Sequence, residues 1–335
     1  MGVVQICVDA ILDRRVAIKF IQSSTHQRRI FDELAALLKM RSKHVVQVYD
    51  ILRLPGDELG IVQDFIDGQD LFESHSVPTR KVDYYKQLWQ IASGLADIHS
   101  LNVIHRDIKP NNMKTDPEGV IKIFDFGLAR DEGSAASTMG FVGTAGFAAP
   151  ELYVGSVKFT SAVDTYAFGA TALFLGSGGL PQELLAVPPA TRPTPCFSAL
   201  PIGLAPDVAA ALDACLAHAP GDRPPMSYVR DLLARHILHD RHQALVVFNG
   251  KELRLNSTTR YVDLNLPTVG QIRIGYDGLD FSVVSISGEV LINNRAVAAG
   301  AVIPGSCVVA LGGSHRRSTE RTFITFDLSH PEIVL

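Results

Sequence analysis

Apolar runs with many β-branched residues dominate the first 70 residues and predict strands. GVVQICVDA and RVAIKFI are two such runs, separated by the polar turn LDRR. HVVQVYDILRL and LGIVQDFI lie on either side of the turn signal PGD, so they predict a hairpin. Between the two pairs, RRIFDELAALLKM has apolar residues at helical spacing. This part of the chain is therefore expected to be a sheet with one inserted helix.

From about residue 82 to 240 the pattern becomes helical. DYYKQLWQIASGLADIHS is the clearest amphipathic helix, and APDVAAALDACLAHA begins another with Pro206 in its first turn. The apolar stretch 162–176 is too short to cross a membrane and contains Asp164, which favours a buried helix. The proline-rich stretch 180–196 predicts an irregular loop.

The last segment, 244–335, consists of short β-type runs divided by the turn signals NGK, DGL, SGE, NNR and LGG. That spacing is typical of a small all-β sandwich. We place the domain boundary at 241–243, and the fold class is α+β followed by an all-β domain.

Composition and charge exclude several functions. The net charge is −4, without a Lys/Arg run, so nucleic-acid binding is not expected. The N-terminus lacks the basic region and cleavage site of a signal peptide, and no membrane span is expected. The four cysteines are far apart in sequence, which favours unpaired thiols and a cytoplasmic protein.

Polar chemistry concentrates in VIHRDIKPNN, residues 103–112. Nearby, Asp125 ends an apolar strand in IKIFDFGLAR, and Lys19 lies inside the apolar strand VAIKF, where an unpaired ammonium is costly to bury. A lysine, a helix carboxylate and an Asp/Asn/Asp set on two loops suit a polyphosphate with a divalent metal. Lysine neutralises phosphate, and Asp and Asn oxygens are ligands for Mg²⁺.

These motifs, in this order and spacing, resemble the catalytic signature of eukaryotic-type (Hanks-type) Ser/Thr protein kinases. The resemblance implies a bilobal kinase domain over 1–241, with an N-lobe of about 1–66 and a C-lobe of about 67–241. It also implies ATP with Mg²⁺ or Mn²⁺, protein substrates and a signalling role.

The resemblance assigns roles to the polar residues. Lys19 would pair the α- and β-phosphates, and Glu33 would orient it. Asp107 would be the catalytic base, and Lys109, which matches the Ser/Thr type of catalytic loop, would reach the γ-phosphate. The metal ligands would be Asn112 and Asp125.

IVQDFIDGQDL resembles the hinge of the family. Gln63 would be the gatekeeper residue, the Asp64 carbonyl and the Ile66 amide would face adenine, and Asp70 would reach the ribose. A backbone hinge is expected because the edge of adenine offers one donor beside one acceptor.

Two features depart from the family pattern at the nucleotide site. Val4 and Ala17 would roof adenine, but only Gly2 and Val4 match the glycine-rich loop G-x-G-x-x-G-x-V. The first strand and the first two glycines of the loop are absent. Lys114 stands where the family usually has an apolar residue under adenine, although its stem can still cover the ring.

The rest of 1–241 resembles an activation segment and its supports. Arg106 would pair with a phosphate on the segment, whose candidate acceptors are Ser134, Ser137 and Thr138. Thr144 would bridge toward the catalytic loop. The residues with implied structural roles are His105, Phe126, Gly127, Glu151 with its expected partner Arg223, and Asp164.

Two functions stay open for this domain. The first is an active Ser/Thr kinase, favoured because Lys19, Glu33, Asp107, Asn112 and Asp125 are all present. The alternative is a pseudokinase or ATP-binding scaffold that has lost turnover with most of the glycine loop.

The 243–335 segment resembles a forkhead-associated domain through IRIG, VLINNRAV and SCVVALG. Phosphothreonine recognition in that family needs an arginine after IG and a later Ser-x-x-His motif. This chain has Tyr276 after IG and no such Ser/His pair at the expected place. Asn293, Asn294 and Arg295 are equally good turn residues. A docking sandwich is therefore favoured, with phosphothreonine binding as the alternative.

Overall fold

Four antiparallel strands near the N-terminus form a sheet whose register determines which side chains share a face. The computed structural model describes residues 3–22, 34–55, 58–126, 146–153, 159–191, 195–331 and 333. The strands are β1 Val4–Asp9, β2 Arg14–Gln22, β3 Val48–Leu54 and β4 Glu58–Asp64, in the order β1-β2-β4-β3.

Pairing in this sheet brings one set of alternating residues together. Lys19 of β2 lies opposite Val4 of β1 and Ile61 of β4, and Ala17 lies opposite Ile6 and Gln63. Side chains alternate between the faces of a strand, so these six share one face. A shift of one residue would turn all of them to the other face.

The helices of the first unit each have buried residues on one face or more. They are α1 at 34–39, α2 Lys81–Ser100, α3 Ala162–Ser177, α4 Gln182–Leu185, α5 Pro206–Cys215 and α6 Met226–Ile237. Short 3₁₀ helices are Pro110–Asn112, Pro150–Tyr153, Phe197–Ala199, Pro220–Asp222 and Ser318–Glu320. α3 is buried along almost its whole length, as its continuous apolar sequence predicts.

One expectation was wrong in part. The stretch 180–196, predicted as an irregular loop, contains the short helix α4. Pro181 precedes the first turn of α4, where a missing amide proton costs nothing, and Leu184 is fully buried. The burial of one leucine favours a helical turn that the prolines on both sides obscure in the sequence.

A small hairpin connects the polar cluster to the strand before Asp125. Its strands are β5 Met113–Thr115 and β6 Ile121–Ile123, and Met113 pairs with Ile123. Ile123 also donates its amide proton to the His44 carbonyl at 2.9 Å. The hairpin is thereby attached to the segment that leads into β3.

The C-terminal segment forms two sheets around one core. Its strands are β7 Ala244–Phe248, β8 Lys251–Leu255, β9 Tyr261–Leu266, β10 Gly270–Tyr276, β11 Phe281–Gly288, β12 Val290–Ile292, β13 Arg295–Ala296, β14 Cys307–Leu311 and β15 Thr322–Leu328. The sheet orders are β11-β10-β9 and β13-β12-β14-β15-β7-β8. Side chains from both sheets, such as Leu264, Ile272, Val309 and Phe326, are fully buried in the shared core.

Several of the predicted turns contain asparagines in the left-handed conformation. Asn249, Asn293 and Asn294 have φ values of 50°, 47° and 62°. Asparagine tolerates this region better than most residues. This explains why NGK and NNR are good turn signals here.

The chain divides into two compact units, residues 1–234 and 235–334. The four cysteines are free thiols. Within the described ranges, no helix combines the length and apolar character needed to cross a bilayer.

An ion pair in the second unit connects Glu289, the residue before β12, to the turn after β14. Glu289 accepts bidentate hydrogen bonds from Arg316 at 2.8 and 2.9 Å and another from the Gly313 amide at 2.6 Å. The Arg316 hydrogen bond, followed by that of Gly313, lowers the pKa of Glu289 from 4.5 to about 2. The charged form of the carboxylate is therefore the one that the fold stabilises.

We expect Glu289→Gln to make the second unit less stable at neutral pH. The pKa of Glu289 falls on folding, so its contribution is present above 4.5 and is lost as the pH falls toward 2. Hydrogen exchange of the β12 and β14 amides at neutral pH measures the loss, and acid unfolding should depend less on pH in the variant. The control is Glu252→Gln on exposed β8; equal exchange in both variants would contradict the assignment.

Candidate active site

A cavity of about 290 Å³ lies against the shared face of the N-terminal sheet. The sheet contributes the side chains that the register brings together, and residues 64–66 and the β5–β6 hairpin with the two residues after it supply the other walls. The lining residues are Val4, Ile6, Ala17, Lys19, Gln63, Asp64, Phe65, Ile66, Lys114, Phe124 and Asp125. Most of the surface is apolar, and the charged lining residues are Lys19, Asp64, Lys114 and Asp125.

Lys19 is the cation on the sheet side of this cavity. Its Nζ donates to Oδ1 of Asp125 and to the Phe126 carbonyl at 3.2 Å. The Lys19 side chain is only 14% exposed, so the carboxylate compensates for the cost of burying its charge. Asp125 has a φ of 66°, an unusual value for a residue other than glycine. Such local strain is typical of functional sites.

The polar cluster at 103–112 forms a tightly bonded loop. Lys109 Nζ lies 3.1 Å from Oδ2 of Asp107, and Asn112 Nδ2 donates to the Asp107 carbonyl at 2.7 Å and to Oδ2 at 3.0 Å. Lys109 and Asn112 are both buried. These bonds orient the Asp107 carboxylate.

The hairpin brings Asn112 and Asp125 together across thirteen residues of sequence. Asn112 immediately precedes β5, Phe124 follows β6, and the Phe124 amide donates to the Asn112 carbonyl at 3.0 Å. Since Nδ2 of Asn112 is bonded to Asp107, its Oδ1 is the atom with metal-ligand chemistry.

The buried carboxylate of Asp164 binds the backbone of the 103–112 loop. Asp164 is 1% exposed and accepts the amide protons of His105 and Arg106, each at 2.8 Å. It also lies 3.0 Å from Nε2 of His99. Burial acts to raise the pKa of Asp164, but the His99 hydrogen bond and the amide bonds outweigh it, and the pKa is lowered.

His99 is a part of this arrangement that the sequence did not reveal. It lies in the last turn of α2, where a histidine looks like an ordinary polar helix end. Only the packing of α2 beside α3 brings its ring to Asp164.

His105 and Phe126 are both buried and their rings are in contact, with centroids 4.7 Å apart. Nε2 of His105 lies 3.0 Å from the Phe124 carbonyl. Burial lowers the pKa of His105, which favours the neutral ring. This pair therefore connects the polar loop to the Asp125 segment through packing. Arg106, the residue after His105, has a φ of 66°.

Arg223 and Glu151 form a second buried anchor. The guanidinium donates to both carboxylate oxygens, at 2.6 and 2.8 Å, and to the carbonyls of Ala162, Ala217 and His218. Bidentate pairs of this kind are geometrically specific. The pair fastens the 3₁₀ helix Pro150–Tyr153 to the loop before α6.

Lys114 lies where the sequence departs from the family pattern. It lines the cavity, and its Nζ donates to the Ile66 carbonyl at 3.4 Å. Ile6, Phe65 and Phe124 are lining residues that the sequence did not single out. Their signal was weak because isolated apolar residues next to known motifs resemble ordinary core residues.

Some predicted residues lie elsewhere. Asp70 does not line the cavity; its Oδ1 accepts the amide protons of Phe72 and Glu73, and its backbone pairs with Lys114. The predicted residues that fall outside the described ranges are Gly2, Glu33, Gly127, Ser134, Ser137, Thr138 and Thr144.

The family model described as "Protein kinase domain" matches residues 1–185, which is more than half of the chain. The chain belongs to the protein kinase family.

Curated relatives agree with the family. Over 192 residues, the chain is 33% identical to Cyclin-dependent kinase-like 2 from Homo sapiens and from Pongo abelii, covering 54% of the chain and 38% of each relative. It is 33% identical over 182 residues to Mitogen-activated protein kinase 5 from Arabidopsis thaliana, covering 50% of the chain and 47% of that protein. The chain thus spans less than half the length of these relatives.

We expect Asp164→Asn to destabilise the first unit by about 2–5 kcal/mol, because it weakens charged hydrogen bonds to two buried amides. Urea unfolding followed by fluorescence of Trp89, the single tryptophan, measures the change. Asp83→Asn, on the exposed first turn of α2, is the control. Equal stability of the two variants would show that the carboxylate does not hold the loop.

Proposed function

We propose that the chain is a Ser/Thr protein kinase that transfers the γ-phosphoryl group of ATP to hydroxyls of protein substrates. The observation that carries the proposal is a series of contacts that joins polar residues of separate segments. Lys19 from β2 pairs with Asp125 at the cavity. The Phe124 amide donates to the Asn112 carbonyl, and the Asn112 side chain donates to Asp107; these two residues are not among those that line the cavity. A purely structural ion pair would not need this second pair of polar side chains on the adjoining loop.

The cavity suits a purine nucleotide. Its walls include Val4, Ala17 and Phe124, residues 64–66 of the proposed hinge also line it, and Lys19 pairs there with Asp125. Apolar walls with a few oriented polar groups are typical of ligand sites.

A divalent metal also fits the donor set. Within the described ranges, no group of three or more His, Cys, Asp or Glu side chains is arranged for a metal. Mg²⁺ is usually bound by one or two protein oxygens together with substrate phosphates, which matches Asn112 and Asp125. Bound Mg²⁺ or Mn²⁺ would neutralise phosphate charge, and these two side chains would hold it.

The protein side chains would carry out the transfer by position and charge. Asp107 would orient the incoming hydroxyl and accept its proton, while Lys19 and Lys109 would stabilise negative charge on the phosphoryl oxygens. Asn112 keeps the Asp107 carboxylate in place. Lys109 supports the Ser/Thr assignment, since tyrosine kinases usually lack a lysine there.

The proposal extends to the organisation of the chain. The kinase domain would occupy 1–241, with the hinge near residue 66 between a small and a large lobe, and a separate β domain would follow from 243. The unpaired thiols support a cytoplasmic location. A role in signalling belongs to the same proposal.

We expect Asp107→Asn to lower the transfer rate by about 10²–10⁴-fold, because the amide cannot accept the hydroxyl proton. The assay measures radiolabel transfer from ATP to a general protein substrate, with Mg²⁺, with Mn²⁺ and with chelator. Asp83→Asn is the matched control on the exposed surface. Undiminished transfer by Asp107→Asn would remove the proposed base.

A nucleotide-binding scaffold is the second candidate, and one observation favours it. Val4 and Ile6 line the cavity but are 54% and 62% exposed, so the roof is open on that side. An open roof admits water to the cavity and weakens electrostatic stabilisation inside it. A protein that binds fluorescent ATP through Lys19 but shows no Asp107-dependent transfer would be this scaffold.

For the second unit we propose a docking domain of forkhead-associated type. Two sheets around one core support the architecture. Tyr276, at the position where the family needs arginine, is 3% exposed and donates its hydroxyl to the Gly278 carbonyl at 2.8 Å. Its side chain is therefore part of the core, which favours docking over phosphothreonine recognition.

We expect the full chain to bind phosphothreonine peptides no better than their unphosphorylated forms. The physical reason is that a buried tyrosine offers no cation to the phosphate. Fluorescence titration with paired peptides measures the difference, and Arg295→Ala tests the remaining cation near the turn. Phosphate-dependent binding in the micromolar range that Arg295→Ala abolishes would overturn the docking proposal.

A further inference from the structure

Lys114 brings an ammonium group to the side of the nucleotide cavity that residues 64–66 line. It lies on β5, and its Nζ donates to the Ile66 carbonyl at 3.4 Å. The same Nζ lies 6.0 Å from the ring centroid of Phe124, another lining residue. Lys19, the other lysine of the cavity, is bonded to Asp125. The two ammonium groups therefore serve different parts of the cavity.

The carboxylates close to Lys114 in the segment after β4 have other partners. Asp67, whose charge attracts Lys114, accepts hydrogen bonds from Arg15 at 2.8 Å and from the Gly68 amide at 3.0 Å. Oδ1 of Asp70, whose backbone pairs with Lys114, accepts two backbone amide protons. Among the described residues, Lys114 thus bonds to a neutral carbonyl, and an ammonium has three N–H donors. Donor capacity remains for a ligand in the cavity.

The Lys114 ammonium and the Ile66 carbonyl together form a donor beside an acceptor. This order complements guanine, whose edge presents the O6 acceptor next to the N1–H donor. Adenine presents the opposite order, the N6 amino donor next to the N1 acceptor, which suits the Asp64 carbonyl and the Ile66 amide expected at the hinge. Lysine bonded to O6 of guanine is among the commonest base-specific contacts of proteins. The cavity therefore carries one set of polar groups for each purine.

Desolvation of Lys114 adds to this difference between the bases. The side chain is half-buried, and a bound base removes further water from its ammonium. The N6 amino group of adenine cannot accept a hydrogen bond, so it does not replace the lost water. O6 of guanine does replace it, with a bond to a charged donor, which is stronger than a neutral one.

We propose that the cavity binds guanine nucleotides as well as adenine nucleotides, and that the protein uses GTP as a second phosphoryl donor. Lys114 is the specificity-determining residue. The inference rests on the proposed kinase function, since it names a further nucleotide substrate of the same site. In the transfer, the bond from the γ-phosphorus to the β–γ bridging oxygen breaks, and the substrate hydroxyl oxygen forms the new bond. The hydroxyl proton passes to Asp107, and GDP leaves with the electron pair.

The test compares ATP and GTP on the full chain, by displacement of a fluorescent ADP analogue. Lys114→Met keeps an apolar stem without the donor, so it should raise the ratio of the Kd for GTP to the Kd for ATP by roughly ten-fold. Lys114→Arg keeps a charged donor and should retain the wild-type ratio. ITP keeps O6 but lacks the exocyclic amino group of guanine, so its ratio to ATP should change in the same direction as that of GTP. A ratio measured on one sample is independent of the fraction of folded protein.

A matched control comes from the same hairpin. Lys122 is the β6 residue that pairs with Lys114, and it does not line the cavity. Lys122→Met makes the same substitution and should keep the wild-type ratio. A ratio that Lys114→Met leaves unchanged, or that Lys122→Met raises equally, would overturn the inference. Failure of GTP to displace the analogue would also overturn it.

Radiolabel transfer separates this inference from the proposed function. We expect Asp107-dependent transfer from γ-labelled GTP that unlabelled ATP inhibits, and Lys114→Met should lower it relative to transfer from ATP. Asp107-dependent transfer from ATP alone would contradict the inference and leave the kinase function intact. Lys114-dependent binding of GTP, with no Asp107-dependent transfer from either nucleotide, would contradict the kinase function and leave a scaffold that binds both purines.

Discussion

The buried carboxylate of Asp164 is the constraint on which the proposed active site depends. The loop 103–112 carries two cations, one aspartate and two asparagines, and its own sequence does not favour a single backbone conformation. Asp164 accepts the amide protons of His105 and Arg106 and so determines the path of the backbone at that point. Because Arg106 has a positive φ, this path needs external support. The next residue, Asp107, consequently projects from a position that the fold has determined.

The other half of the site depends on strand register. Lys19 reaches Asp125 because β2 pairs with its neighbours so that Lys19, Ala17, Val4 and Ile6 share one face. The β5–β6 hairpin does the same for Asn112 and Asp125. Each pairing is local: the first brings Lys19 to the cavity beside Asp125, and the second connects Asn112 to Phe124, the neighbour of Asp125. Charge then stabilises the convergence, since Lys19 is too buried to remain unpaired.

Lys114 and Phe72 show how the same backbone framework carries individual side chains. The backbone pairing between Asp70 and Lys114 connects the segment after β4 to β5. On one side of that connection Lys114 adds a second ammonium to the cavity, and on the other Phe72 presents an aromatic face. The pairing between Asp70 and Lys114 is made by backbone groups, so the side chains at these positions can vary without removing it.

Much of the architecture was predictable from the sequence. The strands β1 to β4, the helices α2, α3 and α5 and the strand-rich C-terminal segment follow from hydrophobic period and turn chemistry. The short helix α4 was missed because prolines on both sides of it mask the burial of Leu184. Lys19 could be singled out from the sequence because an ammonium inside an apolar strand is costly without a partner. The roles proposed for VIHRDIKPNN and Asp125 came from their resemblance to the kinase signature.

The sequence by itself determined which elements form and which polar residues need partners. Only the tertiary structure decided that His99 lies against Asp164, that Asp70 bonds to backbone amides beside Phe72, and that Phe72 stacks on Phe174. The physical reason is range. Period and turn preference act between neighbours along the chain, whereas these contacts join residues of separate helices and loops and exist only after those elements have packed.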